Sequence, residues 1–282
     1  TPSVVRRDDV TVSVTAGGDP GRARRLRGAL AVALDDGSLP LRRTRPGRGR
    51  VTLVGGGPGD QDLLTLRGRR ALAEADVVVV DRLAPTGVLA ELDDDVQVVD
   101  VGKTPDHHPV PQHEINRIIV DAAQAGYRVV RLKGGDNYVL GRGGEEVAAC
   151  REAGVDVDVV PGVTSAFAVP AAAGIPVTHR GLSRSVTVVS GHEQLDCAVL
   201  ARLEGTLVVL MGVAGLPGLA AGLLAHGKDP ATPVALVESG CTPRQRTTRS
   251  TLADVVAVAA GRGVRSPAVI VVGAVAALGG EG

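Results

Sequence analysis

Val77-Val-Val-Val80 is the segment that most constrains how this 282-residue chain can fold. Four β-branched residues in a row lose side-chain freedom in a helix and pack well on a pleated sheet. The run has no polar alternation, so it predicts a strand covered on both faces. Similar apolar runs occur at residues 51–54, 96–101, 129–132 and 157–160, and helical patterns separate them at 62–75, 85–92, 112–125 and 144–153. Strand and helix alternating at this spacing predict βαβ units and a mainly parallel sheet. A second series follows, with strands at 186–190, 207–210, 234–237 and 269–272 and helices at 216–226 and 251–260. The proline- and glycine-rich segment 161–184 reads as a connection holding one short helix near 165–173. Before all this, residues 10–14 alternate like a strand, 17–21 form a turn, 22–34 read as a basic helix, and the arginine-rich stretch 41–50 reads as a linker.

The expected fold is therefore α/β, with two α/β domains built on mainly parallel sheets and an active-site cleft between them. Such junctions are common ligand sites. The expected divisions are residues 1–49, 50–162, 163–184 and 185–282.

Composition removes several functions. The 31 basic and 31 acidic residues balance, so no overall field favours nucleic acid or a membrane surface. With no Trp, two Tyr and one Phe, platforms for stacking bases are nearly absent. Cys150, Cys197 and Cys241 lie far apart, which argues against a disulfide framework or a zinc knuckle and for reduced thiols in a cytoplasmic protein. No apolar run approaches the ~20 residues that span a bilayer, and no signal peptide is visible.

The chemistry lies in loops that follow the predicted strands. Arg131-Leu-Lys-Gly-Gly-Asp-Asn-Tyr-Val-Leu-Gly-Arg-Gly-Gly-Glu-Glu146 crowds charges beside a glycine backbone, as expected around a polar ligand. Gly55-Gly-Gly-Pro-Gly-Asp60 joins a strand to a helix, but Pro58 and Asp60 make it a poor nucleotide motif. Asp81 sits at a strand's carboxyl end, where it suits a base or ligand anchor. It also suits a helix N-cap. Lys103 follows the next strand and reads as an anion ligand, an acid or a plain surface lysine. His107 and His108 lack a third ligand at metal spacing, so no metal site is expected. Gln112 to Asn116 reads as capping and surface pairing. Thr164 and Ser165 can serve a ligand or a helix cap, and Met211 the core or a pocket.

Taken in order, these pieces resemble the tetrapyrrole methylase family from about residue 50 to 278. They are the glycine loop, Asp81-Arg-Leu, Gly102-Lys103, Pro111-Gln-His-Glu-Ile-Asn116, Arg131-Leu-Lys-Gly-Gly-Asp136, Gly141-Arg-Gly-Gly-Glu-Glu146, Pro161-Gly-Val-Thr-Ser165, Gly174-Ile-Pro-Val-Thr-His-Arg180, Ser190-Gly-His192 and Met211-Gly212. The first 46 residues resemble the tail of the dehydrogenase and ferrochelatase module of siroheme synthase, without its nucleotide-binding front half.

The resemblance implies a homodimer that binds S-adenosylmethionine and methylates uroporphyrinogen III at C2 and C7, giving precorrin-2 for siroheme or cobalamin. The alternatives are a related family transferase or an inactive ligand-binding module. Cofactor contacts would fall on Pro58, Gly134, Gly135, Asp136, Val139, Thr164, Ser165, Met211 and Gly240. Asp81 would accept a proton and Lys103 donate one. An acidic tetrapyrrole also needs cations, and Arg82, Arg131, Lys133, Arg142, Arg180 and Arg184 are the candidates. Val80, Gly56 and the run Asn137-Tyr138-Val139-Leu140 depart from the usual pattern at the cofactor rim.

Overall fold

The computed structural model describes residues 2–7, 10–39, 47–102 and 110–279. They form two compact units. The first holds the described residues up to Gly57 together with Gln61–Gly162, and the second holds Pro58–Asp60 with the described residues from Val163 onward. Lys103, His107 and His108 lie outside the described residues.

The first unit opens with an antiparallel pair, β1 (Ser3–Arg7) and β2 (Val10–Val14), followed by helix α1 (Pro20–Asp35). β1 is a strand the sequence reading did not propose. Asp19 caps α1 by accepting from Arg22 N at 2.9 Å. Arg7 forks the Asp35 carboxylate at 2.5 and 2.6 Å, tying the pair to the end of its helix.

Five strands then make a wholly parallel sheet: β3 (Arg50–Gly55), β4 (Val77–Val80), β5 (Gln97–Asp100), β6 (Arg128–Lys133) and β7 (Asp156–Val160), in the order β5-β4-β6-β3-β7. Alternation along each strand divides the core. Val51, Leu53, Val77, Val79 and Val129 face Ile115 and Ile119 of α3 (Gln112–Gln124) and Val147 of α4 (Gly143–Glu152). Val54, Val78, Val80, Val130 and Leu132 face Leu72 of α2 (Leu66–Ala73) and Val88. Each fully buried aliphatic side chain contributes roughly 1.5–3 kcal/mol. The single helix expected over 62–75 is broken. Thr65 stays extended and its hydroxyl accepts from Gly68 N at 3.1 Å, so a new helix starts there after a 3₁₀ turn at Gln61–Leu63. The stretch expected as a helix over 85–92 is also 3₁₀, at Thr86–Glu91.

The second unit runs α5 (Ser165–Ala172), β8 (Val186–Ser190), α6 (Cys197–Arg202), β9 (Thr206–Leu210), α7 (Leu216–Ala225), β10 (Pro233–Glu238), β11 (Arg246–Thr251), α8 (Val255–Gly261) and β12 (Ala268–Val272). Its sheet has the order β11-β10-β12-β9-β8. Here the expectation of a mainly parallel sheet is corrected: β8 and β9 pair in parallel, but the β10–β11, β10–β12 and β9–β12 pairs are antiparallel. A parallel pair needs a crossover of about a dozen residues or more, and the connection 239–245 between β10 and β11 is too short for one. β11 itself, Arg246-Thr-Thr-Arg-Ser-Thr251, is polar because it is an edge strand. Arg249 on it donates to the carbonyls of Ala173, Ala276 and Leu278 at 3.1–3.3 Å.

Candidate active site

All five strands of the first sheet point the same way, so their carboxyl ends share one edge. Ligands of open parallel sheets bind outside that edge. It carries Gly55–Gly57 after β3, Asp81 and Arg82 after β4, Val101 and Gly102 after β5, and Gly134–Asp136 after β6.

The two glycine loops join each other. Gly56 N donates to Lys133 O at 2.7 Å, and Gly57 and Gly135 exchange bonds of 3.1 and 2.7 Å. The chain after β7 closes on the same point. A Cβ on Gly162 would stand 2.2 Å from Gly135 O, and one on Gly55 would stand 2.5 Å from Gly162 N. Three backbones therefore touch where no side chain fits, which is the structural reason for glycine there.

Asp136 organises this corner. Its Oδ2 accepts from Gly162 N at 2.9 Å and its Oδ1 from Tyr138 N at 2.8 Å. The unusual Asn137 is fully buried and donates to Val160 O at 2.8 Å, closing the loop onto the end of β7. Its Oδ1 is buried without a partner. Tyr138 is exposed and Val139 half-buried, so these departures from the family pattern have separate effects: Asn137 holds the loop and Tyr138 faces outward.

Asp81 is no helix cap: the 3₁₀ turn that follows is preceded by Pro85, which caps with no side chain. Instead its Oδ1 accepts from Arg131 Nη2 at 2.7 Å, and its side chain stays about a third open, at 31% exposure. Behind it lies a buried network of charge. Arg131 Nε donates to Glu146 Oε1 at 2.9 Å, while Nη1 reaches the carbonyls of Val79 and Leu132 at 3.3 Å. Lys133 Nζ bonds both Glu146 oxygens at 3.0 and 3.1 Å. Gln112 Nε2 adds a bond to Glu146 Oε1 at 3.2 Å and another to Asn116 Oδ1 at 2.9 Å.

This corrects two expectations. Arg131 and Lys133 were expected to face acidic substrate groups, but both are buried and paired with the protein's own carboxylates. The sequence suggests capping and surface pairing for Gln112, but its amide closes a buried network. Burial works against charge on Arg131, yet Glu146 and Asp81 outweigh it and hold the guanidinium above its ordinary range. Burial, with Arg131 beside it, pushes the Lys133 ammonium down despite Glu146. Burial and Glu146 together push the Cys150 thiol up to about 11, so it is no nucleophile at neutral pH.

The other candidate cations differ. Arg82, Arg180 and Arg184 are exposed and have no ion-pair partner among the described residues. Arg142 is exposed and pairs with Glu145 at 2.7 Å.

In the second unit, Thr164 accepts from Ala166 N at 3.3 Å and caps α5, which begins at Ser165. Met211 follows β9 with 39% of its surface exposed. Gly240 follows β10 and is buried against Val169. Pro58 belongs to this unit, and the adjacent Gly59 would bring a Cβ within 2.8 Å of Thr242.

Among the described residues, five non-glycine residues take positive φ: Leu140 and Arg142 in the loop after β6, Met211 after β9, and Ser239 and Cys241 on either side of Gly240. A non-glycine side chain in that region costs roughly 1–2 kcal/mol, and such residues cluster at functional sites. Sequence reading had no signal for Leu140, Ser239 or Cys241. Among the described residues, no group of three or more His, Cys, Asp or Glu is placed to hold a metal ion, and no helix is long and apolar enough to cross a membrane.

A parallel sheet with glycine loops and an open, arginine-held carboxylate on its carboxyl edge, together with a second α/β unit, defines a two-unit α/β protein with a candidate site on that edge. Residues 50–256 match the family of tetrapyrrole (corrin/porphyrin) methylases, and the chain belongs to that family. It is 47% identical over 232 residues to an S-adenosyl-L-methionine-dependent uroporphyrinogen III methyltransferase of Methanosarcina barkeri, covering 80% of this chain and 91% of that one. It is 47% identical over 235 residues to a siroheme synthase of Tolumonas auensis, covering 82% of this chain but 50% of that one, so the chain spans about half the length of that relative. Among solved structures, uroporphyrin-III C-methyltransferase of Thermus thermophilus in complex with S-adenosyl homocysteine matches with TM-score 0.70 and 46% identity, over 80% of this chain and 98% of that one.

Proposed function

We propose that this chain transfers methyl groups from S-adenosylmethionine to uroporphyrinogen III, at C2 and then C7, to give precorrin-2. The observation that carries the reading is Asp81. It is an ionisable group at the carboxyl edge of the sheet, oriented by Arg131 yet open to a ligand, in a chain 47% identical to a methyltransferase named for that acceptor. A cobalt precorrin-4 methyltransferase matches the fold at TM-score 0.72 but only 28% identity, which favours the earlier acceptor.

The residues present suit the methyl donor. Gly134, Gly135 and Gly240 offer main-chain groups without side chains, Thr164 and Ser165 offer hydroxyls, and Met211 offers an exposed thioether. Pro58, Val139 and Asp136 complete the proposed set, Asp136 chiefly through its backbone because its carboxylate already holds Gly162 and Tyr138. When bound, S-adenosylmethionine supplies an electrophilic methyl on sulfur. The protein aligns the acceptor carbon and excludes water. As the ring carbon forms its new bond, positive charge grows on the pyrrole nitrogen. The carbon–sulfur bond of the donor breaks as the new one forms, releasing S-adenosylhomocysteine, and Asp81 stabilises the charge and accepts the proton that the ring nitrogen loses. Lys103 is proposed as proton donor. Arg82, Arg142, Arg180 and Arg184 are the cations available to the acceptor's carboxylates.

The enzyme is proposed to act as a homodimer in the cytoplasm. Residues 1–49 are proposed as the tail of a siroheme synthase module plus a linker. A siroheme synthase of Methylococcus capsulatus that matches over 90% of this chain supports that assignment. The test of the reaction is anaerobic incubation with S-adenosylmethionine and uroporphyrinogen III. A doubly methylated product, fluorescent after oxidation, is expected, and its absence would overturn the proposal.

A further inference from the structure

Arg131 and Lys133 occupy positions where strand physics asks for apolar residues. β6 lies between β3 and β4, and a central strand of a parallel sheet is normally apolar on both faces. Val129, Arg131 and Lys133 alternate onto the face covered by α3 and α4. That face therefore changes from apolar to charged toward the strand's carboxyl end. Arg131 is 1% exposed and Glu146 is fully buried. Taking such ions out of water costs several kcal/mol each, and well-packed apolar residues often give equal or better stability. Stability alone therefore does not account for the network.

Its geometry does. Every nitrogen of the Arg131 guanidinium has a partner: Glu146 at Nε, Val79 O and Leu132 O at Nη1, and Asp81 at Nη2. Those bonds come from α4, from β4 and from β6 itself, so the fork is fixed on three sides before it reaches Asp81. One Asp81 oxygen is held, and the other has no partner among the described residues. Glu146 is held in turn by Lys133 and Gln112.

We infer that Arg131 is a positioning residue for the proposed reaction, holding the Asp81 carboxylate in one orientation, and that Glu146 in turn holds the Arg131 fork in place. The inference rests on the reading of Asp81 as the proton acceptor. The ionisable groups around Arg131 among the described residues are Asp81, Lys133, Glu146 and the Cys150 thiol, with Arg142 acting on Glu146 and Glu145 on Lys133 from α4 and its start, and with the Gln112 and Asn116 amides completing it from α3.

The experiment uses the full chain in three variants: Arg131→Lys, Glu146→Gln, and the double variant Arg131→Met/Glu146→Gln, which removes one charge of each sign. Melting curves and calorimetric affinity for S-adenosylhomocysteine establish that each variant folds and binds. For Arg131→Lys, kcat should fall about tenfold or more while KM for the acceptor changes by less than about threefold. The ammonium keeps the charge but loses the fork. In Glu146→Gln, which frees one side of the fork, kcat should fall less than in Arg131→Lys, again with KM for the acceptor little changed. In the double variant, where Asp81 loses its fork and its cation, kcat should fall at least as far as in Arg131→Lys. A merely structural network would lower melting temperature with kcat of the folded variants near the wild-type value, and that result, or an effect on KM alone, overturns the inference. Asp81→Asn separates the two ideas. If that variant keeps wild-type kcat, the reading of Asp81 fails first. If it loses turnover while the other variants keep theirs, only the positioning role fails.

Discussion

The two five-stranded sheets both bury a carboxylate against cations, but they do so at different depths. In the first, Glu146 has no exposure and holds Arg131 and Lys133, which are themselves buried in the middle of the sheet. In the second, Glu238 is buried at the end of β10, but its partner Arg246 on the edge strand is about half open, at 48% exposure. The Arg246 fork at 2.7 and 2.8 Å and the Arg265 N–H at 2.9 Å close the end of a hairpin. Buried charge thus has two uses in one chain. At the sheet's centre it holds Asp81, the proposed proton acceptor, and at the edge it pins two strands. The first use is costly to disturb because no water can replace a lost partner.

The comparison can be broken at several points. Asp81→Ala should have the largest effect: a fall in turnover of about a hundredfold or more, or ~3 kcal/mol of transition-state stabilisation, with S-adenosylhomocysteine affinity nearly unchanged. Steady-state kinetics beside calorimetry will show it, and unchanged turnover removes Asp81 from the chemistry. Next comes Glu146→Ala, which leaves buried Lys133 without its counter-charge and Arg131 with Asp81 alone. It should lose about 3–5 kcal/mol in denaturant unfolding. Glu238→Ala should lose only about 1 kcal/mol, because water reaches Arg246. Equal losses at the two glutamates would erase the distinction.

Gly162→Ala tests the backbone convergence on the first sheet's edge. The added carbon would meet Gly135 O at 2.2 Å, so a destabilisation of roughly 1–3 kcal/mol is expected, again from unfolding curves. The smallest effect is pH-dependent. Burial opposes the charge of Glu238, but Arg246 and the Arg265 N–H hold its carboxyl below the ordinary carboxylate value. A folded pKa below the unfolded one stabilises the fold above the unfolded value of about 4.3. That contribution disappears as pH falls through the folded value. Melting temperature against pH should therefore drop less steeply in Glu238→Gln than in the parent protein below about pH 4.

How far the sequence reveals this molecule depends on what each segment must hide. Val77–Val80 is legible because a strand covered on both faces is normally apolar throughout. β11 is not, because an edge strand needs no continuous apolar run. Its three threonines are the β-propensity signal that was available. The break at Thr65 was readable in principle as a capping residue inside a helical pattern. Asp81, Gly134 and Gly135 were legible as loop residues because parallel strands present their carboxyl ends together. The direction of Arg131 and Lys133 was not, since glycines and charges nearby suggest a ligand equally well. Their two-residue spacing from Val129 was the clue that they share its covered face. The left-handed backbone of Met211 leaves no trace in composition at all.

That strained backbone has a consequence for anyone who would improve the protein. Leu140, Arg142, Met211, Ser239 and Cys241 each hold a conformation that glycine adopts freely. A screen for heat resistance alone would therefore favour glycine at these five places and would remove side chains from the loops that carry the proposed site. Selection for robustness and selection for turnover pull in opposite directions on the same few codons. A library aimed at a tougher enzyme should fix those codons and vary the surfaces of α1 and α7 instead.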